Sequence, residues 1–432
     1  MTAWTTARLT RLSKEGSWIV LGQAATVAGT LVLVGVLTSH LDSAQFGQLA
    51  LGLTISGLVN QVVTGGIAAG ISRFYAIAAE RRQLGGYMDA VLRLVALSTA
   101  VVLVLGLAFL ALLSWLDYSN WIWLAAGALA FSLASGYNNT LAGIQNAARQ
   151  RAVVAIHSAV DAWLKILLAV FAVGWLGNSA AAVVLAYTFS SVLVTCSQLL
   201  VLRGRIPARQ TDPAAYRPWM VQVWAYSWPF SAWGIFTWAQ QVADRWALQT
   251  FASTSEVGQY AVLFQLGFTP VAMVTGMATL FLAPILYQRA GDTSDVARNA
   301  SVHRTGWQMT HIALLCTLAC CGLAFALHGW IFRLLVAPEY RMQSYLLPWV
   351  VSAGGIFAAG QMLALKSMSA MQSTALIAPK IGTALVGIVL HVVGAALAGI
   401  TGVVAALNVF SVSYLIWLVL LDRRKSPGHA LA

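Results

Sequence analysis

The chain is 432 residues long, with a mean hydropathy of +0.77, 59% hydrophobic residues and only 9% charged ones. Soluble domains carry about a quarter of their residues charged, so an ordinary soluble protein is excluded. The formal net charge of +12 invites a nucleic-acid reading, but where the charges lie argues for a membrane topology instead.

Apolar runs of roughly 20 residues can cross a bilayer as helix, the form that satisfies every backbone hydrogen bond internally. Twelve follow one another, at about 17–37, 48–70, 91–113, 121–140, 153–173, 179–202, 220–242, 258–285, 307–327, 345–365, 379–399 and 402–421. The expected fold class is an all-α polytopic membrane protein with twelve transmembrane helices. The connections are too short for a soluble domain. The first run is too long for a signal peptide and lacks a small-residue cleavage site, so no cleaved leader is expected.

With the N-terminus inside, the basic residues gather on one side of this ladder. Arg8, Arg11, Lys14, Arg81, Arg82, Arg149, Arg151, Arg203, Arg205, Arg209, Arg217, Arg298, Arg304, Arg423, Arg424 and Lys425 fall in termini or inward loops, with Arg93 and Lys380 at inner helix edges. Outward loops hold only Arg245, Arg333 and Arg341. That is the positive-inside pattern, and it predicts both termini in the cytoplasm.

The chain also repeats itself. Gly47, Gln48, Ala50, Val63, Thr64 and Gly65 recur 211 positions later as Gly258, Gln259, Ala261, Val274, Thr275 and Gly276. Ser17-Trp18 recurs as Ser227-Trp228, one position out of phase. The polar stretch from Arg203 to Pro218 divides six spans from six, predicting a six-helix bundle over 1–202, a cytoplasmic linker over 203–219 and a second bundle over 220–432. An even number of spans per half makes the repeats parallel, with their pseudo-two-fold axis along the membrane normal. Pro207, Pro213 and Pro218 are expected to keep the linker from forming one helix, and Pro229, Pro270 and Pro284 to bend the seventh and eighth spans.

The fifth span carries the sharpest chemical signal. His157, Asp161 and Lys165 are four apart and share a helix face. With Arg151 at the cytoplasmic surface, Lys165 lies about 20 Å deep, where ionisable groups normally face a cavity or a partner. Asp161 and Lys165 also reach each other at this spacing, and a self-neutralised pair would need no substrate. Asp244-Arg245 closes the seventh span as a second candidate, and Arg73 follows the second span as a phosphate ligand or a surface anchor. His311 and His391 are lone intramembrane histidines, which either carry protons or simply pack. Trp4, Trp115, Trp121, Trp123, Trp175, Trp219, Trp330 and Trp417 lie near span ends, as an aromatic belt does. Trp224, Trp228, Trp233 and Trp238 run through the seventh span, and three of them, Trp224, Trp228 and Trp238, share one side of an ideal helix. They are candidates for stacking on sugar or lipid, or for lipid-facing packing. Cys196, Cys316, Cys320 and Cys321 read as small apolar residues. No metal-ligand spacing or phosphate loop is present, so no cofactor is expected.

Two local patterns carry a family resemblance. Leu41-Asp42-Ser43-Ala44-Gln45-Phe46-Gly47 follows the first span, with an acidic residue ahead of an aromatic-Gly pair. Its counterpart is Asp244-Arg245 followed by Glu256-Val257-Gly258-Gln259-Tyr260. Together they resemble the multidrug/oligosaccharidyl-lipid/polysaccharide exporter superfamily, and within it the O-antigen and polysaccharide flippases. The resemblance implies two six-helix bundles around a central cavity in the bacterial inner membrane. It further implies alternating-access export of polyprenyl-diphosphate-linked oligosaccharide, with polymerase and chain-length proteins of a polysaccharide pathway as possible partners. In that role Lys165, Arg245 and Arg73 would face the diphosphate, while Asp161, His157 and Asp244 would titrate. The chain departs from the lipid II flippases in its sparse cationic lining, with no Arg in the first span.

Other classes fit less well. A multidrug antiporter of the same superfamily would bind cations with free acidic groups, whereas Asp161 has a Lys partner. A major-facilitator carrier would place a Gly-Asp-Arg-rich loop after the second span, and residues 72–86 lack it. A membrane glycosyltransferase or polymerase would need carboxylates or histidines in a large loop, and Asp42, Asp117 and Glu339 are scattered over short ones.

Overall fold

The computed structural model describes residues 2–203, 212–290, 296–369 and 376–425. The regular elements described are all helical. In chain order they are α1 (Thr2–His40), α2 (Ser43–Val59), α3 (Gly65–Glu80), α4 (Leu84–Trp115), α5 (Ser119–Ala147), α6 (Arg151–Leu176), α7 (Ala180–Arg203), α8 (Pro213–Phe251), α9 (Thr254–Ala290), α10 (Val296–Leu335), α11 (Leu347–Ser369) and α12 (Ile377–Lys425). A π-helical turn, Asn60–Thr64, joins α2 to α3, and a 3-10 helix, Pro338–Leu346, leads into α11.

Among the described residues nine helical stretches are long and apolar enough to cross a membrane, with Ser43–Glu80 counting as one and Ala378–Arg423 as one. The chain is a multi-pass membrane protein. Its surface agrees: Leu97, Leu103, Leu107 and Phe109 stand exposed along α4, a costly arrangement in water and a neutral one in lipid. Neither α5 nor α8 is among the nine. Polar residues such as Asn138, Asn139 and Gln145 on α5, and Gln240, Gln241, Asp244 and Arg245 on α8, dilute their apolar character.

Among the described residues the π-turn interrupts the stretch Ser43–Glu80, and α12 breaks at Ala398 and Gly399, where Gly399 takes a φ of 53°. A left-handed φ is where glycine costs least. The break falls at the end of the predicted eleventh span. The helices run on through Pro229, Pro270 and Pro284. The predicted linker is partly helical, because α8 starts at Pro213 and contains Pro218. A proline at the first helical position lacks only a donor that would have had no partner there. Pro207, Arg205 and Arg209 lie outside the described residues, as do the side chains of Trp4, Arg8, Arg11, Lys14, Trp233, Arg424 and Lys425.

The chain divides into two compact units, residues 1–41 with 48–239 and residues 42–47 with 240–432. In the first, α6 packs on α1 and α7, and α5 on α3, α4 and α7. The opening of α8 is held there by rings: Trp219 meets Phe74 and Tyr87 edge-on, and the Tyr87 hydroxyl donates to the Ile71 carbonyl at 2.6 Å. Gly66 and Gly70 of α3 face Ser231 and Ser227 of α8, with no room for a Cβ on either glycine. Small residues of this kind let helix backbones approach closely in lipid.

In the second unit, α11 is the central rod, packed on α9, α10 and α12. The two halves of α12 touch backbone to backbone at Gly394 and Gly402. Residues 42–47 join this unit through the start of α9. The Ser43 hydroxyl lies 2.5 Å from that of Ser255, the Ser43 N–H donates to Glu339 at 2.9 Å, and Phe46 meets Tyr340 edge-on.

Candidate functional site

In the first unit, α6 brings His157, Asp161 and Lys165 to one face, as their spacing predicts, and α5 and α7 complete the surroundings. Lys165 Nζ donates to Asp161 Oδ2 at 2.5 Å. The other carboxylate oxygen, Oδ1, accepts the Ser190 hydroxyl at 2.9 Å. The ammonium also lies 5.3 Å from the Phe131 ring and 5.8 Å from that of Tyr187, two faces that attract a cation. Both side chains retain some exposure, 18% for Lys165 and 15% for Asp161. The pair is electrically neutral as it stands, so an anionic guest must compete with Asp161 for the ammonium. One turn earlier, His157 places Nδ1 2.7 Å from the Val153 carbonyl and Nε2 3.1 Å from the Ser197 hydroxyl. Both of its nitrogens are engaged.

The second centre lies where α8 ends and α9 begins, within the second unit. Asp244 is 3% exposed and accepts the Tyr260 hydroxyl at 2.7 Å and the Arg245 N–H at 2.7 Å. The Arg245 guanidinium reaches only to 4.0 Å from Asp244 and lies over the Phe264 ring. This carboxylate is therefore satisfied mainly by uncharged donors.

The remaining sequence candidates lie elsewhere. Arg73 is exposed on α3. Trp224 and Trp228 are half exposed, whereas Trp238 packs on Gly57 and donates its indole N–H to the Thr54 carbonyl at 2.8 Å. That donation makes Trp238 a strut between α2 and α8. His311 lies beside Trp307, the two rings tilted at 38° with centroids 5.6 Å apart. The four cysteines are free thiols. Among the described residues no group of three His, Cys, Asp or Glu side chains stands ready for a metal.

The structure adds a centre that sequence reasoning missed. Lys366 of α11 is 4% exposed and pairs with Asp422 near the end of α12. The other Asp422 oxygen accepts the Trp307 indole N–H at 2.9 Å and lies 3.3 Å from His303 Nε2. The aliphatic stem of Lys366 fills the space over Gly306. This cluster ties α10, α11 and α12 together at one end. Lys366 and Asp422 are far apart in sequence, so no spacing rule links them.

Residues 12–289 match the family model described as "Polysaccharide biosynthesis protein". The chain belongs to this family. No protein in the curated collection matches it. Among solved structures, this polysaccharide biosynthesis protein resembles lipid II flippase MurJ in an inward closed conformation. The TM-score is 0.71 at 9% identity, covering 94% of this chain and 87% of that one. It also resembles an inward-facing multidrug resistance MATE transporter of the MOP superfamily, at TM-score 0.69 and 13% identity, covering 94% and 99%. A third match is a MOP superfamily transporter from Pyrococcus furiosus, at TM-score 0.62 and 15% identity, covering 95% and 97%. At these identities the likeness establishes the fold.

Proposed function

We propose that this family member is an alternating-access flippase that moves polyprenyl-diphosphate-linked oligosaccharide from the cytoplasmic to the outer leaflet of the bacterial inner membrane. The observation that carries the proposal is the polysaccharide biosynthesis family match over residues 12–289, set in a fold shared with a lipid II flippase. Twelve crossings fit this role when α5 and α8 are counted with the nine apolar stretches and α12 is counted as two helices. The basic residues then face the cytoplasm with both termini, as two parallel six-helix repeats require.

A diphosphate cannot cross a low-dielectric core without cations. Lys165 supplies one beneath two aromatic rings, and a diphosphate carries more charge than the single carboxylate it displaces. Arg245 and Arg73 are the other phosphate-facing candidates. Asp161, His157 and Asp244 are the titratable ones, with Trp224, Trp228 and Trp238 as stacking surfaces for sugar or lipid. Polymerase and chain-length proteins are the partners such a pathway calls for, and no catalytic step is assigned to the chain itself.

A cation-coupled multidrug antiporter is the second reading, favoured by the full-length likeness to MATE transporters. Proteoliposomes separate the two. A flippase moves a fluorescent polyprenyl-diphosphate oligosaccharide to the opposite leaflet and leaves cationic dyes in place. Dye export without lipid movement would replace the flippase with the antiporter.

A further inference from the structure

The internal repeat contains its own comparison. Val63-Thr64-Gly65 and Val274-Thr275-Gly276 are the same three residues in the two halves, yet their local structure differs. In the second half α9 runs through them as regular α-helix, and the Thr275 hydroxyl donates to the Val271 carbonyl one turn back at 2.7 Å. In the first half the chain widens into the π-turn Asn60–Thr64, and the Gly65 N–H donates to the Asn60 carbonyl. The residues ahead of the shared triplet are what differ: Asn60 and Gln61 stand where the second half has Val271 and Ala272. The second half builds its helix with neither a polar pair nor a wide turn, so the helical repeat alone does not call for them. Single π-turns inside α-helices occur frequently at functional sites.

Asn60 is spent on structure. Its amide donates to the Ser135 hydroxyl of α5 at 2.9 Å. The Thr64 hydroxyl lies 3.1 Å from both its main-chain and its side-chain oxygen. Gly136 of α5 stands so close to Thr64 that a Cβ would not fit, and Gly234 of α8 is set against the Gln61 carbonyl in the same way. Two helices therefore hold the turn. Gln61 is the member left over. Its side chain is partly exposed, without a hydrogen-bond partner among the described residues, and Gly65 nearby is exposed. Both residues lie near the middle of the apolar stretch Ser43–Glu80. A primary amide at that depth in hydrocarbon would give up its hydrogen bonds to water for nothing. Its place in the fold is explained by water or a ligand beside the turn.

We propose that this π-turn is a polar subsite of the first unit, at which Gln61 hydrogen-bonds hydroxyl groups of the glycan. The identity of that ligand rests on the flippase proposal. An uncharged amide offers both N–H donors and a carbonyl acceptor, which matches a sugar hydroxyl that itself donates and accepts. The turn carries no charge of its own, so it offers neither a phosphate nor a cation an opposite charge. Asn60, Ser135 and Thr64 are positioning residues, fixing the turn from which Gln61 projects.

The test uses the full-length protein with its four native cysteines replaced by serine and Gln61→Cys added, in nanodiscs that leave both faces accessible. A charged thiosulfonate reagent modifies thiols in water and spares those in lipid. The control is Leu107→Cys on the exposed face of α4. The proposal expects Gln61→Cys to react roughly tenfold faster than the control or more. It also expects polyprenyl-diphosphate oligosaccharide to slow that reaction, and polyprenyl diphosphate without sugars to leave it unchanged. A rate no faster than that of Leu107→Cys puts the side chain in lipid and overturns the subsite. Equal protection by both lipids overturns the glycan contact. Should Gln61→Cys fail to fold, Gln61→Leu takes its place, with a KM for the lipid-linked oligosaccharide raised roughly threefold or more and turnover unchanged; an unaltered KM overturns the contact. Wild-type movement of the same lipid in proteoliposomes keeps the two proposals apart. Movement without protection of Gln61→Cys removes the subsite alone, whereas fast labelling without movement removes the flippase and, with it, the glycan as ligand.

Discussion

Gly47 and Gly258 occupy equivalent positions of the internal repeat, and they touch. A Cβ on Gly47 would collide with the Thr254 carbonyl oxygen, and a Cβ on Gly258 with that of Ser43. Ser43 and Thr254 are themselves related by the same 211-residue shift, so the contact maps onto itself when the two halves exchange. The repeated glycine is thus a place where two helix starts cross without side chains between them.

Alanine at either glycine must therefore move a backbone. We expect Gly47→Ala and Gly258→Ala each to cost about 1–3 kcal/mol, the range for overpacked sites. Gly276→Ala is the control from the same repeat, since nothing lies within 4 Å of its Cβ position. Thermal unfolding in detergent should lower the midpoint for the first two and leave the third unchanged or slightly raised. Equal midpoints for all three would remove the crossing as a constraint.

Lys366 and Asp422 form a buried pair whose members depend on each other. Lys366→Met alone leaves a carboxylate facing Trp307 and His303, and Asp422→Asn alone leaves an ammonium in the core. Either should cost roughly 3–5 kcal/mol, while the double variant recovers much of the loss. A double-mutant cycle in thermal unfolding measures this, and additive losses would show that the two side chains do not act as a pair. Gly306→Ala, which crowds the lysine stem, should behave like a weakened Lys366→Met.

Trp238 and its neighbours on α8 should separate stability from transport. Trp238→Phe loses the hydrogen bond to the Thr54 carbonyl and should destabilise by about 1 kcal/mol. Trp224→Ala and Trp228→Ala remove half-exposed rings and should leave the unfolding midpoint within the scatter of wild type. If they stack on substrate, their effect appears as a raised KM for lipid-linked oligosaccharide with folding intact.

The topology makes its own prediction. In a variant with the four native cysteines replaced by serine, Asp117→Cys should react with an impermeant maleimide from outside the cell. Arg149→Cys should react only after the membrane is opened. The reverse pattern would invert the orientation assigned from the basic loops.

Much of the fold was legible because it follows from lengths and periods. Apolar runs gave the helices, and Asp161–Lys165 could be paired because an i, i+4 spacing is local. The long-range pair Lys366–Asp422 left no periodic trace, and the π-turn at Asn60–Thr64 is not announced by Pro or Gly inside it. Gly47 and Gly258 were visible as a repeat, but their collision-free crossing is a property of packed helices. His157 stands out in the sequence by its spacing from Asp161 and Lys165, whereas His391 is a lone histidine in an apolar run. Only their surroundings show one ring satisfied at both nitrogens and the other not.

The central claim turns on Lys165 in a protein that moves a diphosphate. The measurement is transbilayer movement of a labelled polyprenyl-diphosphate oligosaccharide in proteoliposomes containing wild type, Lys165→Met, Lys165→Arg or Asp161→Asn, each verified as folded. Movement by wild type that falls at least tenfold in Lys165→Met and returns in part with Lys165→Arg is the expected result; tenfold corresponds to about 1.4 kcal/mol. Asp161→Asn, which frees the ammonium, should retain movement. Transport by Lys165→Met at the wild-type rate would reduce the Asp161–Lys165 pair to packing, and no movement by wild type would contradict the flippase itself.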